Sequence, residues 1–337
     1  MDLDTALRAP IGLLPVLAFL AALVYLDSYK LVRFRYVLIA IGIGVLAAAG
    51  SYVANLAVLD VWNLEFKTFY RYVSPVVEEV LKASVLIWLI RTNRLGLPVD
   101  AAIIGFAIGT GFAVTENLYY LFTRGDANTA LWVVRGFGTA LMHGGVTAIF
   151  ALVSVAMVET RDSVSAAVFV PGLLGAIALH SIFNHFIVWP VFSTLGVLVI
   201  LPVLLYRVFR RSEETLRHWL GADFDSDAEL LEMIGSPGFR TSQVGQYLQS
   251  LNAHFKGEVM ADLLCYLRLH VELGLRAKGI LMMRENGFDV TVGEETLAKF
   301  EELKYLDNSI GRTGRRALQP ILQISHKDLW QFYMLEK

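Results

Sequence analysis

The chain has a single cysteine, Cys265. That excludes a disulfide framework, a cysteine-based zinc site and an iron–sulfur cluster. Charge is also scarce: 18% of the 337 residues are Asp, Glu, Lys or Arg, where a soluble globule carries about a quarter. The 29 basic and 31 acidic side chains nearly cancel, so no basic field recruits nucleic acid. There is no internal repeat and no low-complexity tract. No small-residue cleavage site follows the first apolar run, which begins soon after Arg8. That run is expected to be a retained helix rather than a removed signal peptide.

Apolar residues fill the space left by charge. They make up 55% of the chain, and the mean hydropathy is +0.54. The distribution is uneven. Residues 1–210 hold 14 basic and 12 acidic side chains, whereas residues 211–337 hold 15 and 19 in little more than half the length. A lipid-embedded part and a water-exposed part are the expected organisation. A spanning helix needs about 20 largely apolar residues. Seven segments meet that loosely: 11–27, 36–57, 73–91, 99–121, 138–158, 164–188 and 191–209. Between the second and third, Trp62, Phe66, Phe69, Tyr70 and Tyr72 interleave with Glu65, Lys67 and Arg71, which suits a helix lying at the membrane interface. Residues 127–137 read either as a second surface piece or as the start of span five. The fold class expected is all-α, a polytopic membrane protein of about seven transmembrane helices with a C-terminal soluble helical domain. In 211–337, residues 223–229 read as an acidic linker or helix start. Residues 258–285 read as a long helix with a core stripe at Leu267, Val271 and Leu275, and 294–307 as another helix. Arg312, Arg315 and Arg316 read as a solvated face.

Orientation follows from basic residues near the span ends. With the N-terminus outside, Lys30, Arg33, Arg35, Arg91, Arg94, Arg161, Arg207, Arg210, Arg211 and Arg217 fall inside. Arg8, Lys67, Arg71, Arg124 and Arg135 fall outside. That count favours an outer N-terminus and a cytoplasmic C-terminal domain.

Ionisable groups within a span cost about 2.5–3.5 kcal/mol each even on the lenient insertion scale, so they mark function. Six lie in the middle four spans: Glu78, Glu79 and Lys82 in the third, Glu116 in the fourth, His143 in the fifth and His180 in the sixth. His185 lies nearer the end of the sixth. At 1.5 Å per residue, Glu78, Glu116 and His143 fall roughly 8 Å from the outer end of their spans and His180 roughly 12 Å. Helices running alternately up and down therefore bring carboxylates and imidazoles to one layer. Glu78–Lys82, Phe112–Glu116, His143–Thr147 and His180–Asn184 are all four apart, so each pair shares a helix face. Glu78 and Glu79 point about 100° apart, so one faces a cavity while the other pairs with Lys82. Carboxylates and imidazoles in a dry pocket can activate a water. The same groups, Glu116, His143 and His180 in particular, can hold a zinc ion with one position open. The residues leave both open. Gly105, Gly109, Gly136, Gly138, Gly144, Gly145, Gly172 and Gly175 allow close helix approach around this layer.

The ordered set Glu78-Glu79-x-x-Lys82, Phe112-x-x-x-Glu116-Asn117, His143-x-x-x-Thr147 and His180-x-x-x-Asn184 resembles the PrsW family of intramembrane proteases. That family is similar to CAAX-type prenyl-protein endopeptidases and bacteriocin-processing enzymes. The resemblance covers residues 73–188, a motif-bearing core of a 1–210 membrane domain. It implies peptide-bond hydrolysis in or beside the membrane. In the CAAX-type relatives the first Glu of the pair activates the water, which implies Glu78 here. Those relatives have a His where this chain has Glu116, with His143 as the substitute. His180 and Asn184 match positions that stabilise the oxyanion. The implied catalytic set is Glu78, Glu79, Glu116, His143, His180 and Asn184. PrsW proteins are described both as glutamate-type and as metal-dependent, so the implied cofactor is zinc or none. The implied substrate is a membrane-anchored protein, a single-span anti-sigma factor in particular, cut on its extracytoplasmic side in the plasma membrane.

The alternatives from other classes are a proton- or cation-coupled transporter using the same Glu/His cluster, a haem cytochrome with His143 and His180 as axial ligands, and a non-enzymatic scaffold. Residues 211–337 are expected to serve regulation, oligomerisation or a protein partner. His218, His254, His270 and His326 lie in this tail without metal-ligand spacing.

Overall fold

The structure, a computed structural model, describes residues 3–62, 64–123, 128–187, 189–288, 290 and 292–322. His326 and Arg124 lie outside the described residues, and so do several side chains near His218. Among the described residues there are helices and no strands. Two compact units result, Met1–Ser212 and Glu213–Lys337.

In the first unit, α1 (Leu3–Tyr25) and α2 (Phe34–Trp62) are followed by α3 (Phe66–Thr68), a π turn (Phe69–Val73) and α4 (Ser74–Arg91). Those three pieces form one uninterrupted run, so the aromatic stretch expected at the interface leads straight into the third apolar segment. Pro75 stands at the start of α4. It has no N–H to give to the turn in front of it, which fits the wider π turn there. Next come α5 (Pro98–Thr123), α6 (Thr129–Val133), a second π turn (Val134–Thr139), α7 (Ala140–Arg161) and α8 (Ala166–His185). Thr129–Arg161 is continuous, so the described part of 127–137 is the start of the fifth segment. α9 (Pro190–Gly235) contributes to both units. It carries residues 223–229 as helix where an acidic linker was the other reading.

Among the described residues, six helices are long and apolar enough to cross a membrane: Arg8–Tyr25, Phe34–Trp62, Pro98–Thr123, Thr129–Arg161, Ala166–His185 and Pro190–Arg217. The sequence suggested seven. The difference is α4, which places Glu78, Glu79, Lys82 and Arg91 within 18 residues.

At the centre is α5, whose residues from Val99 to Ala113 are all buried. It packs most extensively on α7 and α2, while α4 and α7 both meet α8. Such a helix has no polar face because every side meets protein or lipid. Glycine sets the spacing. A Cβ on Gly109 would overlap the His143 carbonyl and stand 2.7 Å from Gly144 Cα. Backbone contact at that point draws α5 and α7 together beside His143, the small-residue packing expected of membrane helices.

The second unit comprises the end of α9, α10 (Gln243–Ser250), α11 (Gly257–Glu285) and α12 (Glu294–Leu322). Its core joins Leu263, Leu267, Val271 and Leu273 of α11 to Phe300, Leu303, Leu306 and Ile310 of α12. α12 extends past the 294–307 read from sequence and breaks at Gly311, where φ is +61°. Only glycine adopts that geometry without strain. Arg312, Arg315 and Arg316 are exposed, and Arg315 pairs with Asp307 at 3.1 Å.

One buried histidine in this unit makes its stability pH-dependent. Burial, with the Lys278 cation second, pulls His270 down to about 3. The imidazole is neutral when folded and takes up a proton on unfolding below its ordinary value of about 6.5. Its contribution is therefore complete above that value and lost as pH falls from there towards 3. At pH 5 the loss is about 2 kcal/mol. Hydrogen exchange of the α11 amides in the full chain is expected to show this loss between pH 7 and pH 5. His270→Phe should show a smaller one, and parallel profiles would refute the assignment.

Candidate active site

Four helices bring the ionisable groups together. From α4, Glu79 is 2% exposed and Lys82 is fully buried. Lys82 Nζ donates to Glu79 Oε1 at 2.6 Å, so the pairing is one turn back and three residues apart. The second partner of the same carboxylate oxygen is His180 Nδ1 of α8, at 2.7 Å. Glu78, next along α4, points elsewhere, as 100° of rotation requires. Its Oε1 accepts from Ser74 Oγ at 2.5 Å, and Asn55 Nδ2 donates to that hydroxyl at 3.0 Å. Its Oε2 stands 3.8 Å from His180 Nε2.

His143 of α7 completes the centre. Its Nδ1 faces Lys82 Nζ at 3.3 Å and its Nε2 faces Glu116 Oε2 of α5 at 3.1 Å. Its ring lies edge-on to His180, with centroids 4.8 Å apart at 88°. Phe112 stacks obliquely against His143 at 4.9 Å and lies under the Lys82 ammonium at 4.7 Å. The Phe-x-x-x-Glu spacing thus delivers one apolar and one charged contact to the same imidazole.

The hydrogen bonds also assign the tautomers. A carboxylate only accepts, so His180 Nδ1 carries the proton given to Glu79 and its Nε2 lone pair faces Glu78. By the same reasoning His143 Nε2–H donates to Glu116, and its Nδ1 lone pair faces the Lys82 ammonium.

Two expected residues do other work. Thr147 Oγ1 donates to the His143 carbonyl at 2.8 Å, a bond within its own helix. Asn184 is buried and donates to the Tyr70 carbonyl at 3.2 Å. With Ser181 Oγ on the Arg71 carbonyl at 2.6 Å, it ties α8 to the first π turn. His185 lies in that same junction, its carbonyl accepting from Arg71 Nη2 at 3.3 Å. Sequence reasoning missed Ser74, Asn55 and Arg135. Arg135, assigned to an outer segment, is 7% exposed and ion-paired to Glu116 at 3.3 Å. Its signal was a lone cation beside Gly136 and Gly138 in an otherwise apolar stretch.

Residues 33–207 match the family described as PrsW family intramembrane metalloprotease. The chain belongs to this family. No curated protein and no solved structure matches it. Membership of the PrsW family makes the chain an integral membrane protein and a peptidase of intramembrane proteolysis. It also favours that reading over the transporter. The haem reading meets a geometric obstacle, since His143 and His180 touch edge-to-face and cannot sit on opposite faces of a porphyrin.

The family description includes a metal, and the residues can be tested for it. Among the described residues, Glu78, His143 and His180 each offer a ligand atom, all within 4.8 Å of one another. Two imidazoles and a carboxylate form an ordinary catalytic zinc donor set. His180 donates its other ring nitrogen to Glu79, the carboxylate–histidine arrangement that orients a metal-binding imidazole. The donor set fits. Glu116, read from sequence as a ligand, stands outside this trio on the far nitrogen of His143.

Proposed function

We propose that the chain hydrolyses a peptide bond in a membrane-anchored protein at the cluster of Glu78, His143 and His180. The observation that carries this reading is the convergence of those three groups, from α4, α7 and α8, inside an apolar helical bundle. An intramembrane location for such groups is too costly to be incidental. α4 is the seventh span, with Glu79–Lys82 and the contacts of Glu78 offsetting its charge.

Each residue has a task. Glu78, His143 and His180 would hold a zinc ion, which when bound would supply Lewis-acid polarisation of the scissile carbonyl. Glu79 fixes the His180 ring, and Lys82 neutralises Glu79. Glu116 fixes the His143 ring. Asn184 sets the height of α8 through Tyr70. A metal-free reading has its own support, the placement of Glu78. With Oε1 held by Ser74, Oε2 stands 3.8 Å from His180 Nε2. That separation is long for a direct hydrogen bond and suits one bridging water. Glu78 then takes the proton from the attacking water and hands it to His180 Nε2, and the imidazolium so formed donates to the oxyanion.

The orientation we propose has the N-terminus outside, the site towards the extracytoplasmic face of the plasma membrane, and Glu213–Lys337 in the cytoplasm. A single-span anti-sigma factor is the substrate class that suits it. The second unit serves regulation, self-association or a protein partner.

The test is metal analysis of purified protein together with cleavage of a single-span substrate in proteoliposomes. Wild type is expected to carry about one zinc per chain and to lose cleavage on chelation. His180→Ala should lose zinc affinity by at least about a hundredfold. Full cleavage after exhaustive chelation would leave the glutamate mechanism. Full cleavage by folded His180→Ala would remove the site.

A further inference from the structure

Arg135 has no place in the reading so far, and its surroundings are unusual for a cation in an apolar helix. It lies in the second π turn, 7% exposed. Its Nε donates to Asn117 Oδ1 at 2.9 Å, its Nη2 stands 3.3 Å from Glu116 Oε2, and its guanidinium carbon lies 3.7 Å above the Tyr120 ring. Asn117 in turn donates to the Gly12 carbonyl of α1 at 2.6 Å. Three side chains of α5, the adjacent Glu116 and Asn117 and, one turn on, Tyr120, thus surround one planar fork, two at its edge and one at its face. A lysine could not satisfy all three, because an ammonium has neither the plane nor the spread of donors. π turns recur at functional sites because they shift the register of side chains that a regular helix would place elsewhere. Here the turn delivers Arg135 to Glu116.

Glu116 receives two groups on the same oxygen, Arg135 Nη2 and His143 Nε2. Without the guanidinium that carboxylate would be a half-buried charge with one partner and freedom to rotate. With it, Oε2 is held facing His143, which keeps the imidazole proton on Nε2 and the Nδ1 lone pair turned inward. We infer that Arg135 is a positioning residue of the hydrolytic site, acting through Glu116 to fix the orientation and tautomer of His143. This rests on the reading of Glu78, His143 and His180 as the reacting centre. It adds a supporting group behind them, anchored through Asn117 to α1.

The test is a double-mutant cycle on the full chain in proteoliposomes, with Arg135→Gln, Glu116→Gln and both together. Arg135→Gln is expected to lower kcat about 10- to 100-fold, the range for residues that orient a site group, with KM within about threefold. Glu116→Gln should do the same. The double variant should be no worse than Glu116→Gln, because the arginine acts only through that carboxylate. Arg135→Lys should recover part of the loss. Side-chain nitrogen NMR of His143, identified against His143→Gln, supplies a readout independent of turnover. Wild type should show Nδ1 unprotonated and Arg135→Gln a mixture of tautomers. Wild-type kcat in Arg135→Gln, losses that multiply in the double variant, or an unchanged His143 spectrum would each overturn the inference. If Arg135→Gln does not fold, the double variant has no unpaired buried charge, and any loss beyond Glu116→Gln overturns it. Cleavage by Glu78→Gln at the wild-type rate would instead overturn the reading of the centre, leaving the NMR result to judge Arg135.

Discussion

Glu78→Gln is expected to abolish cleavage of a single-span substrate, with a loss of about a hundredfold to ten-thousandfold in kcat. The change keeps the shape and the bond from Ser74 Oγ, which now reaches Glu78 Oε1 at 2.5 Å. It removes the negative charge, and with it both roles open to this side chain. A neutral amide cannot take a proton from water, and it is a poor zinc ligand. Stability should change little, since the group is the less buried of the adjacent pair. Glu79→Gln serves as the comparison. Its carboxylate bonds both Lys82 and His180, so its effect should combine lost stability with lost activity. Initial rates in proteoliposomes, with unfolding curves for each protein, separate the two. A folded Glu78→Gln enzyme within fivefold of wild type would sink the assignment.

Lys82→Met is expected to destabilise the protein by about 3–5 kcal/mol, because breaking a buried ion pair from one side leaves a bare charge. The lysine is fully buried and its ammonium meets Glu79 at 2.6 Å, His143 at 3.3 Å and the Phe112 ring at 4.7 Å. Its removal leaves Glu79 with His180 alone. The double change Glu79→Gln with Lys82→Met removes both charges and should recover most of the stability, since an apolar replacement of a buried pair is often neutral. It should not recover cleavage, because an amide can turn either its oxygen or its NH2 to His180 and no longer fixes the tautomer as an acceptor-only carboxylate does. Unfolding in mixed detergent reads the first effect and turnover the second. A single variant as stable as wild type would contradict the buried pair. A double variant no better than the single would contradict the charge argument.

Much of this site was legible because an ionisable side chain within an apolar run stands out on cost alone. Glu78, Glu79, Lys82, Glu116, His143 and His180 were found that way, and helical rise put them at similar depth before any contact was known. Which group bonds which was not legible. Lys82 is four residues from Glu78 but pairs with Glu79, because a flexible lysine chooses between i−3 and i−4 by what lies beyond, here His143. Glu116 was read as a ligand, and its carboxylate meets His143 Nε2 and Arg135, outside the trio of Glu78, His143 and His180. Asn184 bonds a backbone carbonyl, and such a partner leaves no trace in residue identities. Arg135 was assigned to water because basic residues near span ends are normally there, and no local pattern foretells a π turn. The fold follows the same division. Long apolar runs marked their helices, while the acidic stretch at 223–229 read equally as a linker or a helix start. It is continuous helix because local charge does not itself end one. Gly311 breaks α12, but the helix resumes.

Oxygen-18 labelling tests the central claim most directly. Wild-type protein and a single-span substrate are reconstituted together in labelled water, and the products are read by mass spectrometry. The expected result is one labelled oxygen in a new carboxyl terminus that maps within or at the edge of the substrate's span, with none from Glu78→Gln. Equal labelling by the two folded proteins would contradict the claim that hydrolysis occurs at Glu78, His143 and His180.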